Sequence, residues 1–154
     1  MKSIILHTAT CLIALTFITP VRAENPQHLQ QLLQTNLCRG CDLSGADLQG
    51  AHLIGADLRE ANLSGANLKE ANLEGADLSG SNLENANLTA TFFNNAELAN
   101  ANLQGADLTN SNFAFAHLSG ADLTEATFLN TELLGADLTE AKLPTNVLVH
   151  NSEP

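Results

Sequence analysis

The amino-acid sequence predicts an all-β solenoid closed at its N-terminal end by a short α-helix. Three observations carry this. A large apolar residue recurs at every fifth position, a small residue sits two places before it, and departures from the pattern tend to be spaced by 20 residues. Residues 61–80, ANLSGANLKEANLEGADLSG, show the unit. On an α-helix a five-residue period advances about 140° per repeat and scatters the leucines around the axis. On a straight strand an odd period sends alternate leucines to opposite faces. A chain that bends once per unit puts all of them inside.

The chain has 154 residues, enough for one domain, and 44% are hydrophobic, which excludes ordinary disorder. Aromatic residues are 4%, with no Trp or Tyr, so the usual anchors of tight interfaces and base stacking are scarce. Residues 1–23 have the pattern of a secretory signal peptide: Lys2, an apolar stretch over 4–19, Pro20, then Val21-Arg22-Ala23 with small residues at −3 and −1. Cleavage is expected after Ala23. A membrane anchor is the alternative reading, because the stretch is near the shortest that can span a bilayer. No small-residue lipobox precedes Cys11, which argues against a lipoprotein.

The exported chain would carry four basic and 17 acidic residues, a formal charge of −13. Such a surface repels nucleic acid and anionic lipid, and no later segment could span a membrane, so neither nucleic-acid binding nor stable membrane insertion is expected after cleavage. Cations or a basic partner would be attracted.

Residues 24–40 form the expected cap. Asn25 is a good N-cap and Pro26 a good first helical residue, with Leu29, Leu32 and Leu33 on one face of a helix over about 26–35. Docking of this helix into a partner's groove is the competing role. CRGC, with Cys38 and Cys41, follows at the junction with the repeats. Extended backward, the repeat register points both cysteines inward. An exported protein favours a disulfide; two reduced core cysteines and a redox-active pair are the alternatives, and two cysteines are too few for a four-cysteine zinc site.

Residues 41–145 contain 21 consecutive units without insertion or deletion. Calling the large residue i, this position is Leu in 18 units and Phe in three, Phe93, Phe113 and Phe128. Position i−2 is Ala in 16 units, i−1 is Asp or Asn in 14, and i+2 is Gly or Asn in 14. Position i−2 shares the inward face with i and must be small near a crowded axis. Gly and Asn at i+2 suit corners that need φ > 0. Thr91, Ser111 and Thr131 replace Ala at intervals of 20, as Phe93 and Phe113 replace Leu, which stacks them in columns if a coil has four sides.

The tandem A-[DN]-L-x-x pattern resembles the pentapeptide-repeat family over residues 41–145. The resemblance implies a right-handed quadrilateral parallel β-helix with four units per coil, about five coils here. At a coil spacing of about 4.8 Å the rod would be about 25 Å long. Residues 146–154 remain as a C-terminal cap and tail, with Val147-Leu148-Val149 positioned to cover the last coil beyond Pro144.

No nucleophile–base pair stands out. Ser44, Ser64 and Ser79 fall at outward i+1 positions, and His52 and His117 fall on different sides, so no catalytic, cofactor or metal residues are expected. Two surfaces are candidates for binding. On the fourth side Asp57, Asp77, Glu97, His117 and Asp137 stack at i−1, an acidic ladder that could hold cations or a basic partner, or be a solvated face. The third side, units 51–55, 71–75, 91–95, 111–115 and 131–135, collects Ile54, Phe92, Ala114, Phe115 and Leu134 at outward positions, with Leu129 on the side before. That clustering points to a contact surface for a protein partner or a second copy; packing between neighbouring coils is the competing account.

The expected protein is therefore an exported, non-enzymatic structural or interaction rod of the periplasm or thylakoid lumen, and less readily one secreted outside the cell. The rival comes from the resemblance. Some family members imitate duplex DNA and bind gyrase, but the signal peptide, the uninterrupted repeats and the lack of a long C-terminal helix depart from that type. A disulfide-handling enzyme using Cys38 and Cys41 is the remaining alternative.

Overall fold

A computed structural model describes residues 25–145. The expected signal peptide with its cleavage point after Ala23, and the expected C-terminal cap over 146–154, lie outside the described residues. Helix α1 spans Pro26–Thr35. The Asn25 side chain accepts a hydrogen bond from the Gln27 N–H at 3.0 Å, and Pro26 occupies the first turn, where its missing donor costs nothing. The helix ends at Asn36, whose left-handed backbone (φ 56°) lets its N–H reach the Leu32 carbonyl. Leu32 is fully buried and Leu29 packs on the same core. Leu33, expected on the buried face, is instead exposed, so two leucines rather than three seat the helix.

From Leu37 onward the chain pairs with itself in parallel at a constant offset of 20 residues, from Leu37 with Asp57 to Asp122 with Lys142. Four pentapeptides thus complete a coil, and the coils run 41–60, 61–80, 81–100, 101–120 and 121–140. The paired residues are the i−1 positions, so each side of the rod carries one column of them. The i and i−2 residues point inward. Nearly all i leucines of the first four coils are fully buried, together with the alanines at i−2 other than the partly buried Ala51. Phe93 and Phe113, 20 residues apart, stack inside with ring centroids 4.6 Å apart and planes 12° from parallel.

The unit accounts for all five of its backbone N–H groups. In the unit 61–65 and the residue after it, Asn62 N–H reaches back to the Cys41 carbonyl, Leu63 N–H forward to Asn82, Gly65 N–H forward to Glu84, and Ala66 N–H closes a turn onto Leu63. The fifth donor, Ser64 N–H, is accepted by the Asn62 side chain at 3.2 Å. The same contact recurs at Asp77 with Ser79, Asn82 with Glu84, Asn102 with Gln104 and Asn112 with Ala114. This is why i−1 is Asn or Asp: a short side-chain oxygen caps the turn from within. The second turn residue, i+2, takes φ between 55° and 70° throughout the stack, where Gly is unstrained and Asn tolerated.

Candidate functional site

The two candidate surfaces are built on the i−1, i+1 and i+2 positions, which the coil leaves outside. On the fourth side, Asp57, Asp77, Glu97, His117 and Asp137 do stand in one column, paired in sequence from coil to coil. The column is not a bare acidic ladder. Arg59, at i+1 of the first coil, donates through Nε and Nη2 to the two oxygens of Asp57 at 2.8 and 2.6 Å and lies 3.5 Å from Asp77. That guanidinium, by hydrogen bond and by charge, lowers the Asp57 pKa to about 2. Further along, Asp137 is lowered first by the Thr139 hydroxyl and by its backbone N–H, with His117 adding to the effect. Arg59 thus bridges Asp57 and Asp77, and His117 stands between Glu97 and Asp137, while Asp77 and Glu97 face each other directly in adjacent coils. Arg59 was legible as a basic residue in the sequence. Its role follows only from the 20-residue offset, which sets it against two carboxylates. Among the described residues no group of three or more His, Cys, Asp and Glu is placed to hold a metal ion.

On the third side Ile54, Phe92, Phe115 and Leu134 are all about half exposed, as is Leu129 on the preceding side. They do not form one patch. Ile54 belongs to the first coil, and the second coil presents only Asn72, Glu74 and Gly75 between it and Phe92. Ile54 instead neighbours the cap, where the Asn36 side chain donates to its carbonyl at 3.3 Å. Phe92, Phe115 and Leu134 occupy the third, fourth and fifth coils in succession. Ala114, expected among the outward apolar residues, is nearly buried.

Phe92 and Phe115 each break the repeat at a position with a structural task. Phe92 stands in the column His52, Asn72, Phe92, Asn112, Glu132 and has no oxygen to cap its turn, as Asn72 and Asn112 do. Phe115 holds an i+2 corner with φ 59°, a conformation that costs a bulky side chain on the order of 1–2 kcal/mol. Its ring lies over the corner of the next coil: a Cβ added at Gly135 would stand 2.7 Å from Phe115 Cδ1.

At the cap, Cys38 and Cys41 are joined in a disulfide and are almost wholly buried, at i and i−2 of the backward-extended register. The backbone N–H of Asp42 donates to His28 Nδ1 at 3.0 Å, which ties the helix to the first coil, a contact the sequence did not reveal. Ser44, expected as solvated surface, is buried, and its hydroxyl donates to Asp42 Oδ1 at 2.7 Å. Ser64 and Ser79 are partly exposed, as their i+1 positions imply. His52 and His117 fall in different columns. Among the described residues no helix is long and apolar enough to cross a membrane.

Parallel coils of four five-residue units define a pentapeptide-repeat solenoid. The sequence profile described as "Pentapeptide repeats" matches residues 37–75, 76–113 and 106–143, with 8 copies, and the chain belongs to that family. Among solved structures it is similar to HetL, a pentapeptide repeat protein involved in heterocyst differentiation regulation from the cyanobacterium Nostoc sp. strain PCC 7120. The two are 32% identical with a TM-score of 0.57, over 73% of this chain and 55% of HetL, so the chain spans about half the length of that relative. It is also similar to alr5209, a pentapeptide repeat protein from Nostoc PCC 7120, at 27% identity and a TM-score of 0.61, over 82% of this chain and 89% of that one. No curated protein sequence matches the chain.

Proposed function

We propose that the chain is an exported, non-enzymatic interaction rod that works by presenting fixed side chains to a protein partner. The observation that carries this reading is that Phe92, Phe115 and Leu134 are half exposed on one side of three successive coils. We infer a right-handed winding, the sense that parallel crossovers favour. The signal-like segment 1–23 supports export to the periplasm or thylakoid lumen, with cleavage after Ala23. The charge of the exported chain disfavours nucleic acid, and no cofactor is required. Fractionation of the host followed by intact mass tests the reading: a soluble exported species starting at Glu24 is expected. A full-length cytosolic species would overturn it and favour the second reading, a DNA-like rod that binds gyrase, for which the acidic later coils are the supporting observation. Self-association through the third side is the other occupant to test, by sedimentation of the exported chain.

A further inference from the structure

We propose that Phe92, Phe115 and Leu134 form a docking strip for a short, basic, amphipathic segment of another protein; this deepens the interaction-rod reading and rests on it. The first argument is local cost. At Phe92 and Phe115 the repeat gives up a turn-capping oxygen and an unstrained corner, and each time an aromatic side chain is left about half exposed. Corners at Glu60, Glu70, Ala90, Glu125 and Glu140, and i−1 positions at His52, Glu97, His117 and Thr127, depart from the repeat in the same ways; what marks Phe92 and Phe115 is that the side chain left half exposed there is aromatic. Leu134 follows in the next coil, beside the Gly135 corner that Phe115 covers, while Phe92 stands one coil before Phe115 at i−1 of the same side.

The second argument is charge. Residues 25–69 hold three basic residues, Arg39, Arg59 and Lys69, against four acidic ones; residues 70–141 hold 11 acidic residues and no Lys or Arg. The three cations are paired, Arg39 with Glu60, Arg59 with Asp57 and Asp77, and Lys69 with Glu70, and in the later coils Lys142 alone, just past that stretch, pairs with Asp122 at 3.0 Å. The rod is therefore nearly neutral at its capped end and strongly negative along the coils that carry the strip. Glu132 shares the column of Phe92, and Glu97 and Asp137 share the next column, two residues on from the corners Asn95 and Gly135. A second copy would bring like charge against like across this face, which disfavours it as occupant. A cationic partner is drawn to the same face. Three half-exposed side chains offer on the order of 300 Å², well short of the roughly 800 Å² per partner of a standard interface, so the fit is to one short segment.

The test uses the exported chain and three labelled helical peptides of about four turns: a Leu/Lys amphipath, a Leu/Glu amphipath of the same pattern, and a Ser/Lys peptide of the same charge. Binding is read by fluorescence anisotropy. The variant is Phe92→Asn with Phe115→Gly, which restores the residue types used elsewhere at those positions and so keeps the rod folded. The Leu/Lys peptide is expected to bind, with affinity falling about tenfold in the variant and falling as salt is raised. Equal binding of the Ser/Lys peptide, equal binding of the Leu/Glu peptide, or an unchanged affinity in the variant would each overturn the proposal. A wild-type dimer in sedimentation that the variant dissolves would do so as well, by assigning the strip to a second copy. If no peptide binds but the variant loses cross-links to protein partners in the exported compartment, the basic amphipath is ruled out and the interaction rod stands. A cytosolic full-length chain would remove the rod reading itself.

Discussion

Inside the rod, four of the small residues at i−2 carry hydroxyls. Thr91 donates to the Leu68 carbonyl at 2.8 Å, Ser111 to Leu108 at 2.6 Å and Thr131 to Leu108 at 2.8 Å. Among the described residues, the buried Ser81 hydroxyl alone has no hydrogen-bond partner. A buried polar group left unpaired costs about 1–3 kcal/mol, whereas a paired one contributes about 1 kcal/mol. Ser81→Ala, which restores the usual residue, is therefore expected to raise stability by about 1 kcal/mol, and Thr91→Val to lower it by a similar amount. Urea titration of both variants checks the opposite signs. At the corners, Gly135→Ala meets both a positive φ and the Phe115 ring, and should lower stability by about 1–2 kcal/mol; adding Phe115→Gly removes the ring and should recover part of the loss. Strictly additive effects in that double variant would mean that the ring and the corner do not touch.

Within a turn, the i−1 carboxylates respond to acid more than their exposed positions suggest. The Arg59 guanidinium holds Asp57 at about 2, and the Thr124 hydroxyl followed by the Lys142 ammonium holds Asp122 at about 2, both below the usual 3.8. A carboxylate depressed in the folded state stabilises fully above its unfolded value and loses that contribution as pH falls through its folded value. Thermal stability should therefore be flat above about pH 4 and decline between about pH 4 and pH 2. Asp57→Asn with Asp122→Asn keeps the turn-capping oxygens and should make that decline shallower; an unchanged profile would assign acid sensitivity to other groups. At the cap, Cys38→Ala with Cys41→Ala should lower stability, and the unaltered chain should show thiol exchange no higher than this variant, because both of its sulfurs are shielded from a reductant.

Across the whole molecule, charge and connectivity set the behaviour. With 11 acidic residues and no Lys or Arg over 70–141, the later coils repel one another, and added salt should raise the melting temperature by screening them. A melting temperature that does not move would show that the paired cations of the first coils already govern stability. The architecture was legible in the sequence, because a five-residue period has few solutions, and the columns followed from Thr91, Ser111 and Thr131. What Asn and Asp do at i−1 was not legible, since a solvated surface and a turn cap use the same residues; only the Ser64 donor with no backbone acceptor explains the choice. The gap in the third-side patch was legible too, because the 20-residue register places the polar unit 71–75 between Ile54 and Phe92; what the sequence did not show was that Ala114 is buried.

The constant 20-residue pairing makes the chain behave like a combination dial. Duplicating four consecutive units would carry everything downstream one notch along the axis with its direction kept. Duplicating one unit upstream of Phe92 would swing everything downstream by a quarter revolution, changing the partners only of units within one coil of the insertion, while Phe92 and its companions face a new direction relative to the capped end. A lineage could thus redirect its contacts without redesigning its interior, through the kind of slippage to which tandem repeats in a gene are prone.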